Sequence, residues 1–269
     1  MSMLQIRGKQ VTCRGILFDK DGTLLDFLQL WGPWAESLLN QLESQLSELG
    51  ASFTVEREQV LGTVRNREGH LIGYDLQGPL AIATVDESNG LLAGQLYAAG
   101  MPWNEAITTI RRFSSVAMGE VRQRKRAEPL PGLNAFLQRC QEASIPMAVV
   151  TSDSTAAAEE HMEWMGIRSY FTSIVGSDRV TWGKPDGEAA VLACRELHIL
   201  PEEAVVIGDS NGDMQMGRNA GVSCRIGFCP EVEGSHYLYD ADVIIQNYDE
   251  LKIISERSSQ GDLVKEERG

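Results

Sequence analysis

Near the N-terminus a short apolar run, Gly15-Ile16-Leu17-Phe18, stops at Asp19-Lys20-Asp21-Gly22-Thr23, which puts two carboxylates one residue apart at the end of an expected strand. Two like unit charges about 4 Å apart repel by about 4 kcal/mol at an effective dielectric of roughly 20. The pair therefore asks for a cation, a shared proton or strong solvation, and a magnesium ion would meet that need. An Asp-rich turn with glycine at positive φ is the purely structural alternative. Three later segments bear on the choice. Thr151 follows the apolar run Ala148-Val149-Val150 and precedes Ser152, offering a hydroxyl and a backbone N–H to an anionic oxygen. Gly183-Lys184-Pro185-Asp186 places one lysine on a loop, where a compact ammonium can neutralise a phosphate and a nucleophile together. Val205-Val206-Ile207-Gly208 runs into Asp209, and Asp213 follows about one helical turn later at an expected helix start. Singly, Thr151 reads as a helix-approach cap, Lys184 as a solvated loop charge and Asp213 as a first-turn acid complementing a helix dipole. Together, four such elements in succession are hard to explain by structure alone.

The elements that must position these groups alternate in type. From Pro129 onward, short β-branched runs (Met147 to Val150, Ser173 to Val175, Ala204 to Ile207, Val222 to Ile226, Val243 to Ile245) are separated by helical patterns. Those patterns cover Leu133 to Ala143, Thr155 to Met165, Gly187 to Leu197 and Met214 to Ala220, and Arg14 to Phe18 adds a further strand. The fold class is α/β, a doubly wound, Rossmann-like parallel sheet, whose ligands gather outside the carboxyl ends of the strands. Residues 26–128 read differently. Trp34 to Leu49, Val85 to Ala98 and Asn104 to Arg124 show helical spacing, and Asn66 to Thr84, rich in glycine, reads as the least regular part. The expected domains are an α/β catalytic core of residues 1–25 and 129–255 and an inserted α-helical cap of 26–128 hinged near Asp26 and Glu128. A frayed tail is expected over 256–269.

With 43% hydrophobic and 23% charged residues over 269 positions, the chain has the balance of a globular protein. A formal charge of −14 argues against a general nucleic-acid partner, and the one basic run, Arg122 to Arg126, reads as a solvated helix face. No stretch approaches the roughly 18 apolar residues of a membrane span, so no membrane partner is expected and the expected location is cytoplasmic. Cys13, Cys140, Cys194, Cys224 and Cys229 are an odd number in apolar contexts, which suits reduced structural thiols. The chain lacks a Gly-x-x-x-x-Gly-Lys loop followed by Ser or Thr, and it carries aspartates where a dinucleotide fingerprint has glycines.

The order Asp-x-Asp-Gly-Thr, Thr after a strand, Gly-Lys-Pro and Gly-Asp-x-x-x-Asp resembles the haloacid dehalogenase superfamily of phosphatases over residues 14–23 and about 129–226. The insertion point resembles the helical-cap subgroup of phosphoglycolate phosphatase-like enzymes. This resemblance implies that Asp19 is a nucleophile forming an aspartyl-phosphate and that Asp21 is the acid and base. It also implies that Thr151, Ser152 and Lys184 hold the phosphoryl group, Lys184 holding Asp19 as well. Mg2+ would sit on Asp19, the Asp21 backbone carbonyl, Asp209 and Asp213. The implied reaction is hydrolysis of a small phosphorylated metabolite, phosphoglycolate-like or a sugar phosphate, by a monomer or homodimer. A phosphomutase using the same intermediate and a non-catalytic phospho-ligand sensor are the alternatives. Two positions depart from the pattern. Lys20 is charged where many relatives are apolar, adding positive potential or pointing away, and Gly187 stands where many have proline. In the cap, Arg65, Arg67, His70, Arg111 and Arg112 are substrate-contact candidates that each read more simply as surface charge. Trp31, Trp34 and Trp103 read as cap core.

Overall fold

The computed structural model describes residues 2–230 and 236–255, and the tail expected to fray, 256–269, lies outside them. The chain divides into two units, Met1–Leu25 with Pro129–Gly269 and, inserted between them in sequence, Asp26–Glu128. In the first unit the chain opens with an antiparallel hairpin, β1 (Ser2–Ile6) and β2 (Lys9–Thr12), followed by β3 (Gly15–Phe18).

Helix α1 (Phe27–Glu48) begins the inserted unit, about two turns before the expected Trp34 start. Asp26 supplies the reason, since its Oδ1 accepts from the Leu28 and Gln29 N–H groups at 3.0 and 3.2 Å and so caps the first turn. The unit continues with α2 (Arg57–Leu61), β4 (Thr63–Arg65), β5 (Leu71–Tyr74), α3 (Pro79–Ile82), α4 (Val85–Ala98) and α5 (Trp103–Arg124). Part of the segment read as irregular is therefore regular: β5 pairs with β4 as a hairpin, closed where the Asn66 side chain accepts from the His70 N–H at 2.9 Å. A four-residue strand containing a glycine is too short to show its period in sequence. Trp31 and Trp34 are buried and pack edge to face, whereas Trp103 is half exposed, so core packing holds for two of the three tryptophans.

The first unit resumes with α6 (Leu133–Glu142), β6 (Met147–Val150), α7 (Thr155–Trp164), β7 (Ser173–Val175), α8 (Glu188–Glu196), β8 (Ala204–Gly208), α9 (Asn211–Ala220), β9 (Cys224–Phe228), β10 (Val243–Ile245) and β11 (Leu251–Ser255). Five of these strands join β3 in one parallel sheet of order β10-β9-β8-β3-β6-β7, while β11 joins β1 and β2 in a separate antiparallel sheet. Every residue of β3, β6 and β8 is buried, as strands covered on both faces must be, which is why they read as unbroken apolar runs. Two boundaries differ from expectation. Strand β9 begins at Cys224 rather than Val222, because the Val222 N–H is spent on the Gly217 carbonyl in closing α9. Helix α9 begins at Asn211 rather than Met214, because Ser210 and Asp213 form a reciprocal capping box.

Chain order places β6 and β7 on one side of β3 and β8, β9 and β10 on the other. That reversal opens a crevice at the carboxyl ends of β3 and β8. Phe18 pairs with Ile207 and with Val149, so the residues that leave β3, β8 and β6 emerge side by side. Beneath them lies an aromatic cluster, with Phe18 edge-on to Phe136 and Phe171 and with Tyr248 stacked between Phe136 and Phe228. All five cysteines are buried thiols.

Candidate active site

Asp19 leaves β3 with its backbone N–H on the Ile207 carbonyl at 2.8 Å, so the strand pairing itself aims its side chain. Asp209 and Asp213 come from the end of β8 and the first turn of α9. One carboxylate oxygen from each of the three residues lies within 4.8 Å of the other two. Asp213 is held by its capping role, with Oδ2 accepting from the Ser210 hydroxyl at 2.6 Å and the Ser210 N–H at 3.0 Å. Its other oxygen, Oδ1, lies 2.6 Å from the Lys184 ammonium, which also donates to Asp19 Oδ1. Backbone space matters at two points. Gly22 adopts φ +73°, and a Cβ there would run into the Asp209 carboxylate. A Cβ at Gly187 would come within 2.7 Å of the Ala220 backbone nitrogen, which accounts for glycine where proline was the common residue.

The electrostatics match this crowding. Burial, opposed by Lys184 and reinforced by Asp213 and Asp21, pushes the Asp19 carboxyl up to about 7. Burial, then the charges of Asp19 and Asp213, hold Asp209 well above the ordinary carboxylate range. Burial draws the Lys184 ammonium down, but Asp19 and Asp213 outweigh it and keep it above its usual value. One ammonium thus faces the buried carboxylates of Asp19 and Asp213 and the half-buried one of Asp209. A set of hard oxygen donors left with uncompensated negative charge fits a divalent cation such as magnesium.

Thr151 leaves β6 buried, with its N–H on the Val175 carbonyl at 3.0 Å. Its Oγ1 accepts from the Asp153 N–H at 3.1 Å, which leaves the hydroxyl hydrogen to be donated. Ser152 follows it, half-buried. Thr23 Oγ1 reaches Asp209 Oδ1 at 3.4 Å, and the Tyr248 hydroxyl donates to the Thr23 carbonyl at 2.7 Å, bracing the turn from the aromatic cluster below.

Asp21 stands apart from the three-carboxylate cluster. Its two oxygens lie 2.8 and 2.7 Å from the ammonium of Lys20, which is completely buried rather than pointing away. The same ammonium is 3.3 Å from Asp153 Oδ2 and 3.1 Å from His161 Nδ1. Burial draws Lys20 down, but Asp21 and Asp153 outweigh it and hold it above its ordinary value, so it is charged. Asp153 and His161 were not among the expected site residues. The available signal was a lysine breaking an apolar strand end, together with a histidine at helical spacing between Ala158 and Met162 of α7.

The inserted unit has a groove of its own, of about 720 Å³, lined in part by Gln29, Glu36, Asn40, His70, Arg124 and Arg126. Of the five polar candidates there, His70 lines it. Arg65 does not line it and is held by protein partners, with its guanidinium on Glu36, on Glu58 at 3.2 Å and on the Gly69 carbonyl at 2.5 Å. Arg67, Arg111 and Arg112 are exposed. Within the described residues no helix is long and apolar enough to cross a membrane.

Comparison with known proteins points one way. Residues 13–221 match the model of a family of hydrolases described as haloacid dehalogenase-like hydrolase. Over 72% of its length the chain is 28% identical to the chloroplastic 5-amino-6-(5-phospho-D-ribitylamino)uracil phosphatase of Arabidopsis thaliana. Over 88% of its length it is 26% identical to the phosphoglycolate phosphatase of Salmonella choleraesuis, of which 90% is covered. The matched regions span about half the length of three curated relatives, the Arabidopsis phosphatase among them, from 42% to 59%. Among solved structures, that of a predicted phosphoglycolate phosphatase from Haemophilus somnus has the same fold, with a TM-score of 0.62 at 17% identity over 88% of this chain and 95% of that one.

Proposed function

Because the chain belongs to the haloacid dehalogenase-like hydrolases, we propose that it is a phosphatase of the phosphoglycolate phosphatase-like subgroup and hydrolyses the phosphomonoester of a small metabolite through Asp19. The observation that carries this reading is the Lys184 ammonium bridging Asp19 and Asp213 beside Asp209, at the end of the strand that also delivers Asp21. An Asp19 oxygen attacks phosphorus while the bond to the ester oxygen breaks. The electron pair leaves with that oxygen, which takes a proton from Asp21 and departs as the alcohol. Water then attacks the phosphorus of the aspartyl-phosphate and gives its proton to Asp21. The bond to Asp19 breaks, and inorganic phosphate leaves.

Phosphoryl transfer asks mainly for positioning and charge neutralisation. Lys184 answers the charge of both nucleophile and phosphoryl group, while the Thr151 hydroxyl and the Ser152 N–H hold phosphoryl oxygens. Asp19, Asp209 and Asp213, with the Asp21 backbone carbonyl, would hold magnesium, which when bound supplies positive charge opposite the phosphoryl oxygens. Residues 26–128 serve as the cap that selects among small phosphate esters, phosphoglycolate-like acids and sugar phosphates being the classes to test first.

The test is release of inorganic phosphate from a panel of phosphorylated metabolites, with magnesium or chelator, by the wild type and by Asp19→Asn. Magnesium-dependent turnover that the variant loses is the expected result. A folded wild type that turns over no phosphomonoester would overturn the reading.

A further inference from the structure

Lys20 sits between nucleophile and acid–base in sequence, yet its side chain has no exposure at all. A buried ammonium is costly unless its hydrogens are met, and an apolar residue would fill the same space at no such cost. The groups around it come from three elements: Asp21 after β3, Asp153 after β6 and His161 within α7. An ammonium has three N–H donors, and Asp21, Asp153 and His161 Nδ1 present acceptors for them. For His161 to accept at Nδ1 its ring must be neutral, with its proton on Nε2. Asp153 ties the cluster to the phosphate-binding loop, since its N–H donates to Thr151 Oγ1 at 3.1 Å and its Oδ1 accepts from the Ser154 N–H at 2.8 Å.

We propose that Lys20, fixed from behind by Asp153 and His161, is a positioning residue that sets the direction of the Asp21 carboxyl and so makes proton delivery to the leaving oxygen efficient. With both oxygens against one immobile ammonium, the Asp21 carboxyl cannot turn freely about its last bond. Thr151 and Asp21 then answer to a shared support, so phosphoryl binding and proton transfer keep one geometry. This inference rests on the phosphatase reading and on Asp21 as its acid and base.

The test compares two esters that differ in their need for a proton. An alkyl oxygen leaves poorly unless protonated, whereas p-nitrophenolate leaves unaided. With magnesium present, kcat/KM is measured on an alkyl phosphomonoester and on p-nitrophenyl phosphate for the wild type, Asp21→Asn and Lys20→Met. Lys20→Met is expected to lose about 100-fold or more on the alkyl ester and under about tenfold on p-nitrophenyl phosphate, in the pattern of Asp21→Asn. Equal losses on both esters, as from a merely structural or phosphate-binding role, overturn the inference, as does an unchanged alkyl rate. An inactive wild type, or an Asp21→Asn variant that does not discriminate, overturns the underlying reading and this inference with it. A Lys20→Met, Asp153→Asn double variant removes the unpaired acid that Lys20→Met alone would bury, and it carries the same expectation if the single variant does not fold.

Discussion

Ionisation of Asp19 should weaken the metal-free fold, and Asp19→Asn should remove that weakness. Burial, against the pull of Lys184 and with the help of Asp213 and Asp21, moves this carboxyl from its ordinary 3.8 up to about 7. The folded protein therefore keeps the Asp19 proton to near neutrality, whereas the unfolded chain releases it in the usual carboxylate range. Between those values the unfolded state binds fewer protons, so the free energy of unfolding falls as pH rises. A difference of about three units at about 1.36 kcal/mol each comes to about 4 kcal/mol. Asparagine stands in for the neutral acid at every pH. Urea unfolding in chelator should thus find Asp19→Asn and the wild type similar near about pH 4, with the variant ahead by about 4 kcal/mol near about pH 8. Magnesium should narrow that gap to about 1 kcal/mol, because a ligand at about 100 times its Kd stabilises the folded wild type by about 2.7 kcal/mol and the variant has lost a carboxylate donor. A gap between the two proteins that stays flat with pH, or a wild-type advantage that grows with pH in chelator, would refute the reasoning.

Three further substitutions follow from the geometry. Gly22→Ala forces a Cβ into the Asp209 carboxylate at a positive φ, and it should raise the magnesium concentration for half-maximal phosphate release by about tenfold or more. An unchanged magnesium titration would separate Asp209 from the ion. Tyr248→Phe removes the buried hydrogen bond to the Thr23 carbonyl and should cost about 1–2 kcal/mol in urea unfolding. Arg65→Met leaves Glu36 and Glu58 without their shared cation; as both acids are about one-third exposed, we expect a loss of about 1–2 kcal/mol by thermal or urea unfolding.

Much of the site is readable because it lies where an apolar run ends. Asp19, Thr151 and Asp209 each follow a strand buried on both faces, so the change from unbroken hydrophobicity to a polar residue marks the strand end and the chemistry at once. The pairing of β1 with β11 joins the two ends of the described chain, and neither strand is apolar throughout, so local periodicity carries no trace of it. The early start of α9 is legible only to a reader who treats Ser210 and Asp213 as a reciprocal cap rather than Asp213 as a first-turn acid alone. Asp213 is in fact both, with one oxygen on the cap and the other on Lys184.

Residue type and order were enough to determine the parallel α/β class and to single out the polar groups at the strand ends, because burial on two faces and strand-end polarity are local properties of the chain. Which of those groups share a charge was decided by tertiary structure alone. Lys20 lies one residue from Asp21 but 141 residues from His161, and Lys184 lies 165 residues from Asp19. Whether a lysine is a solvated surface charge or a buried clamp depends on the acceptors that the sheet register brings within about 3 Å, and on the water that burial removes, and neither is written in the residues beside it.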